Sequence, residues 1–259
     1  MGPGEVLGIL GAGIAAGAVN AVVGSGSLIT FPTLLAFGFP PIVANVSNNV
    51  GLVPGNVSGA VGYRRELAGQ RGRLIRLGVF AITGSVGGAA ALLTLPPGSF
   101  ELIVPALILS ACVLVLIQPW LSGRIIARRK RLAEQAGTGE SERTSPALAA
   151  GIFASAAYGG YFGAAQGVLV IGLLGTFLDE SLQRVNGAKN VLVAMVNGAA
   201  AVVYIIFAHV AWLVVLLIAV GSSIGGVLGA RFGRKLPPLA LRIFVVLIGV
   251  ISAVKLLFF

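Results

Sequence analysis

Charge is scarce in this sequence. Only 10% of its 259 residues are Asp, Glu, Lys or Arg, against about 25% in an ordinary soluble domain. So few charges cannot cover a folded surface in water, which excludes a cytosolic enzyme and intrinsic disorder. There is one cysteine, Cys112, and one histidine, His209. That pair excludes a disulfide scaffold, a zinc cluster and an iron–sulfur centre, and the residues call for no cofactor or metal. Aromatic residues are only 7%, and no short alternating strands with aromatic girdles are visible, which excludes an outer-membrane barrel. Carboxylates are nearly missing from the apolar runs, so a proton relay through buried acids has no carrier.

What is present is apolar and small. Hydrophobic residues make up 57%, 38 residues are glycine, and the mean hydropathy is +0.99. Small residues let membrane helices approach closely where lipid gives no drive for association. The first residues, Met1-Gly2-Pro3-Gly4-Glu5, carry no basic region and do not resemble a cleavable signal peptide. Of the 18 Lys and Arg, 15 fall in Arg64–Arg76, Arg124–Arg143 and Arg231–Arg242. This is the pattern of cytoplasmic loops rather than of a nucleic-acid-binding surface.

The chain repeats itself. A shift of 141 residues aligns Ala12–Gln118 with Phe153–Phe259 and gives 22 identities in 107 pairs. The identities cluster. Asn45, Asn49, Asn56 and Tyr63 match Asn186, Asn190, Asn197 and Tyr204, and Gly84 and Gly88 match Gly225 and Gly229. Leu95-Pro96-Pro97 matches Leu236-Pro237-Pro238. Loop charge then reverses between copies. Arg64, Arg65, Arg71, Arg73 and Arg76 have no basic counterparts, whereas the neutral Leu95–Ser99 turn corresponds to one flanked by Arg231, Arg234, Lys235 and Arg242. Basic loops stay in the cytoplasm, so the copies are expected to cross the membrane upside down to one another.

The expected fold is all-α: two inverted-topology repeats of about four membrane segments each, covering 1–120 and 147–259. A cytoplasmic linker, 121–146, joins them. Full spans are expected near 41–62, 77–95, 100–119, 186–208, 212–230 and 239–258, each long enough for a core of about 30 Å. The first segment of each repeat, 5–38 and 147–178, must begin and end on one side. Each is interrupted at glycines, Gly24-Ser25-Gly26-Ser27 and Gly163-Ala164-Ala165-Gln166-Gly167. The leg after each break is short, so a broken or re-entrant hairpin is expected, with two thin spans as the alternative.

A helix starting within the membrane presents free N–H groups and a positive dipole end, which suits an anion. Ser25, Ser27, Thr30 and Gln166 add hydroxyls and an amide. The bland reading is that the glycines only permit packing. At 100° per residue, Asn45, Asn49, Asn56 and Tyr63 share one narrow face, as do Asn186, Asn190, Asn197 and Tyr204. Such a stripe faces a cavity or another helix. Asn48 and Lys189 lie beside it. Lys189 can attract an anion or snorkel to the interface, while Asp179 and Glu180 can pair with Lys189 or Arg184, or cap a helix. The candidate substrate-binding set is therefore Gly24, Ser25, Gly26, Ser27, Asn45, Asn48, Asn49, Gln166, Gly167, Asn186, Lys189 and Asn190. Asn56, Asn197, Tyr63 and Tyr204 are candidate lining. A serine nucleophile in the first break would need His209, which sits at a turn, so hydrolysis is disfavoured. A channel built on two half-helices is the remaining alternative.

These residues resemble the sulfite exporter TauE/SafE family. The resemblance rests on the glycine-broken first segment leading to Leu28-Ile29-Thr30-Phe31-Pro32, the Gly38-Phe39-Pro40 turn, and the Ala44–Asn49 stretch. It also rests on Tyr63-Arg64-Arg65, Gly160-Tyr161-Phe162-Gly163 and Gln166-Gly167. It implies a multi-pass carrier of the bacterial inner membrane that moves small anions, such as sulfite or sulfoacetate, usually outward. Protons are the coupling ion often assumed, and a homo-oligomer is compatible. The family's first break often carries three glycines where serines intervene here, and Asn48-Asn49 stands where small hydroxyl residues are common.

Overall fold

The structure is a computed structural model that describes residues 1–96, 98–134, 145–232 and 238–258. Residues 135–144 of the expected linker, Arg143 among them, lie outside the described residues, as do Pro97, Arg234, Lys235 and the matched Leu236-Pro237. The described chain is all-helical. The first half holds α1 (Pro3–Val22), α2 (Ser27–Ala36), α3 (Pro41–Gly62), α4 (Arg71–Thr94) and α5 (Ser99–Glu134). The second holds α6 (Pro146–Tyr161), α7 (Gln166–Phe177), α8 (Leu182–Phe207), α9 (Trp212–Phe232) and α10 (Pro238–Phe258).

The boundaries have local causes. α3 and α6 begin on Pro41 and Pro146, where the missing N–H is not needed. The Ser181 hydroxyl caps α8 by accepting the Arg184 N–H at 3.3 Å. α1, α4, Ser99–Arg124 of α5, α8 and α9 are long and apolar enough to cross a membrane. At 22 residues α3 reaches about 33 Å, but its asparagines and glycines dilute its hydropathy. α5 differs from expectation. Its helix runs through Arg124 to Glu134, so the first part of the expected linker is helical. Thirty-six residues make about 54 Å of helix, more than the hydrocarbon core requires, and the surplus carries the arginine-rich end beyond it.

The packing pairs the halves by exchange. α1 packs on α9 as α6 packs on α4, α3 packs on α9 as α8 packs on α4, and α10 meets α2 as α5 meets α7. α3 and α8 pack on each other at the centre. They run in opposite directions: the start of α8 at Gly187 lies against Tyr63, Glu66 and Leu67, past the end of α3. Near the other end the Ser47 hydroxyl accepts the Ala211 N–H at 2.9 Å. The α1–α9 and α4–α6 contacts are close because glycine carries no side chain. At Gly225 and Gly229, and at Gly84 and Gly88, an added carbon would strike the carbonyl oxygens of α1 and α6.

Two helices in each half form a hairpin. Phe37, just after α2, lies against Gly8 of α1, so α2 doubles back. At 10 and 12 residues, α2 and α7 are about 15 and 18 Å long, too short to cross. Re-entrant legs account for these lengths better than thin spans.

Candidate functional site

The tips of the two hairpins touch. The Gly167 N–H donates to the Gly24 carbonyl at 3.2 Å. A side-chain carbon on Gly24 would lie 2.6 Å from the Gly167 Cα, so neither position admits one. Gly24 (φ +85°) and Ala165 (φ +58°), which are 141 residues apart, both adopt the left-handed conformation. Glycine takes it freely, whereas alanine does so at about 1–2 kcal/mol.

Each break leaves the last carbonyls of one helix and the first N–H groups of the next without helical partners. In a membrane these must be satisfied by the protein or by something it binds. The stripes supply many of the partners. At the end of α1, the Lys189 Nζ donates to the Asn20 and Ala21 carbonyls at 2.8 and 3.2 Å, and the Asn190 amide donates to Ala21 at 3.3 Å. At the end of α6, the Asn45 amide donates to the Tyr161 carbonyl at 3.0 Å, and the Tyr204 hydroxyl donates to Gly160. The Tyr158 hydroxyl donates to Ala164 at 2.7 Å. At the start of α2, the Gly26 N–H donates to Asn20 Oδ1 at 3.2 Å. The Asn20 amide in turn donates to Asn56 Oδ1 at 2.6 Å, and Thr30 donates its hydroxyl to Asn48. The Asn49 amide reaches Asn197 Oδ1 at 3.5 Å and links α3 to α8.

Lys189 does not snorkel. It is 0% exposed and pairs with no carboxylate among the described residues. An ammonium has three N–H donors, and the two α1 carbonyls engage two of them, which leaves one and the charge. Glu180 pairs elsewhere, with Arg73 at 3.0 Å and with Arg184 of its own helix start. Burial raises the Glu180 pKa, but hydrogen bonds from Arg184 and then Arg73 outweigh it, so its carboxyl sits below the ordinary carboxylate value. His209 is exposed at the α8–α9 turn.

Several buried polar groups keep unused capacity. Ser25 Oγ and both amide atoms of Gln166 have no hydrogen-bond partner, although Ser25 is 0% and Gln166 1% exposed. Asn49 Oδ1, Asn56 Nδ2 and Asn186 Oδ1 are also unpartnered. Each such group left unsatisfied costs about 1–3 kcal/mol. Ser25 and Gln166 occupy corresponding positions, immediately before the Gly26 and Gly167 that the repeat aligns. Of the expected residues, Ser27 is half-buried and Tyr63 is buried against Gly187.

Two further residues belong to this constellation. Asn20 braces the first break, yet its repeat counterpart is Tyr161, so the internal alignment does not reveal it. An asparagine six residues before Gly26 in an apolar helix is the signal that could have. The Gln118 amide donates to the Val23 carbonyl at 3.2 Å, and its oxygen accepts from Arg242.

The sulfite exporter TauE/SafE family matches residues 9–256. Among curated relatives, a "Probable membrane transporter protein" of Haemophilus influenzae is 24% identical over 95% of this chain and 92% of its own length. "Probable membrane transporter protein YfcA" of Escherichia coli K12 is 23% identical over 94% of this chain and 86% of its own. YdhB of Bacillus subtilis, also a "Probable membrane transporter protein", is 26% identical over 98% and 96%. No solved structure matches. With its apolar helices and a match across nearly all of its length, the chain is a multi-pass membrane protein of a transporter family, and it belongs to the sulfite exporter TauE/SafE family.

Proposed function

We propose that this protein is a secondary carrier exporting a small sulfur oxyanion or organosulfonate, such as sulfite or sulfoacetate, across the bacterial inner membrane. Residues 1–120 and 147–259 act as inverted repeats joined by a cytoplasmic linker at 121–146. The opposite run of α3 and α8 and the exchanged packing of the halves support that reading. The anion binds where the hairpin tips meet. Ser25 and Gln166 donate to it, the positive dipole ends of α2 and α7 favour it, and Lys189 supplies charge from the α1 side. The observation that carries this reading is the unused hydrogen-bonding capacity of Ser25 and Gln166 beside the Gly24–Gly167 contact. Rocking of one half against the other exposes the site alternately to each side.

Proteoliposomes loaded with labelled sulfite, thiosulfate, sulfoacetate or sulfate test the proposal. Saturable flux of at least one of them, stimulated by the same anion on the opposite side, is expected. Flux of none would refute the substrate class. Ionic current without counterflow would favour a channel.

A further inference from the structure

We infer that the basic end of the bundle carries a binding site for an anionic phospholipid. A cavity of about 380 Å³ opens there between α3 and α9. Arg64, Arg65 and Arg231 line it with Glu66, above Ser58 and Val227. Three guanidinium groups thus face one carboxylate. Arg73 and Arg184 at the same end are both held by Glu180, whereas the side chains of Arg64, Arg65 and Arg231 make no ion pair among the described residues.

The cavity continues into a groove of a different kind. About 430 Å³ of open space runs along α3 and α8, and Val61 and Arg64 belong to both spaces. The groove is otherwise apolar. Val57, Ala60 and Val61 follow one face of α3 at helical spacing, Arg64 stands in the turn just past its end, and Val191, Ala194 and Met195 form the α8 wall. Val57 and Val61 are 48% and 54% exposed, as expected of side chains that meet acyl chains. From Val57 to the end of α3 at Gly62 the groove extends about 8 Å along the helix axis, and Arg64 stands just beyond it.

A basic chamber at the head of an apolar groove matches one molecule in two parts. The phosphate is bound by planar guanidinium forks, and an acyl chain lies along Val57, Ala60 and Met195. A free anion would use the chamber and leave the groove exposed. A zwitterionic lipid would fill the groove, but its choline or ethanolamine group would sit among arginines. Basic pockets at the cytoplasmic ends of membrane helices bind anionic headgroups for this reason. The neighbouring face of α3 carries Asn49 and Asn56, so a lipid here rests on the helix that bears half of the polar stripe.

Native mass spectrometry of the purified full chain measures the retention of phosphatidylglycerol, cardiolipin and phosphatidylcholine. Preferential retention of the two anionic lipids is expected, with inorganic phosphate unable to displace them. Arg64→Gln with Arg231→Gln should weaken that retention about tenfold or more, and Val61→Trp, which fills the groove and keeps every charge, should weaken it as well. The double variant leaves Arg65, Arg71, Arg73 and Arg76 to hold the topology. Arg124→Gln, whose guanidinium stacks on Trp120, should change nothing. Equal retention of phosphatidylcholine, displacement by inorganic phosphate, or an unchanged preference in both site variants would each overturn the inference. None of these outcomes bears on the substrate site.

Discussion

The two helix breaks share a backbone and differ in chemistry. Gly24 and Ala165, at equivalent positions, turn the chain through the same left-handed conformation. Around the first break, an ammonium and amides close the carbonyl end of α1. Around the second, one amide and one phenol close the end of α6 and a second phenol binds Ala164 within the break, none of these groups carrying a fixed charge. Lys189 occupies the position equivalent to Asn48, so a single exchange of lysine for asparagine separates the halves electrostatically. The repeat conserves the geometry that ends a helix inside a membrane, while the groups that satisfy those ends are free to diverge. In the carrier proposed above, charge on only one side of the site would make it asymmetric to an anion approaching from either face.

The steric asymmetry should give the largest effect. Gly24→Ala places a carbon 2.6 Å from the Gly167 Cα in a left-handed backbone and should abolish assembly of the tip contact, with loss of flux and several degrees of thermal stability in detergent. Ala165→Gly relieves about 1–2 kcal/mol of left-handed strain. It loses a buried methyl and gains unfolded-state entropy, so its stability should stay within about 1 kcal/mol of the parent. If the two substitutions behave alike, the breaks are not as unequal as described.

The electrostatic difference comes next. Lys189→Met leaves the Asn20 carbonyl without its partner and should destabilise by about 2–3 kcal/mol. Tyr204→Phe and Asn45→Ala each remove one hydrogen bond from the second break and should cost about 1 kcal/mol. Chemical denaturation in mixed micelles orders the three. A Lys189 variant as mild as the other two would dissolve the distinction.

The smallest effect lies outside the membrane. The Glu180 carboxyl is held below its unfolded value by Arg184 and Arg73, so its stabilisation is present at neutral pH and fades as pH falls through that lowered value, below the ordinary carboxylate range. Partial exposure limits the contribution to under about 1 kcal/mol. Glu180→Gln should remove that acid-side loss from a pH series of melting temperatures.

Much of this comparison is legible in the sequence. Hydropathy and Pro41 place α3 at 41–62, and the ends of α8, α9 and α10 fall within a few residues of expectation, because apolar length and turn residues mark them. The breaks announce themselves as glycine clusters. The helical extension of α5 is not legible, since an arginine-rich run reads equally as solvated helix or linker. Nor is Ala165, because nothing in an alanine advertises a left-handed backbone; it sits in the turn that brings Gly167 against Gly24. The stripes declare that asparagines share a face. They do not reveal that much of their hydrogen bonding goes to helix ends, which depends on where the opposite hairpin stops.

The central claim is that an anion binds between the touching tips. Labelled-anion flux in proteoliposomes tests it most directly by comparing the parent with Gln166→Leu and Ser25→Ala, each checked for an unchanged melting temperature. The account predicts that both folded variants lose at least about tenfold in flux, since each removes hydrogen-bonding groups that are buried and otherwise unused. Parental flux in both would contradict it.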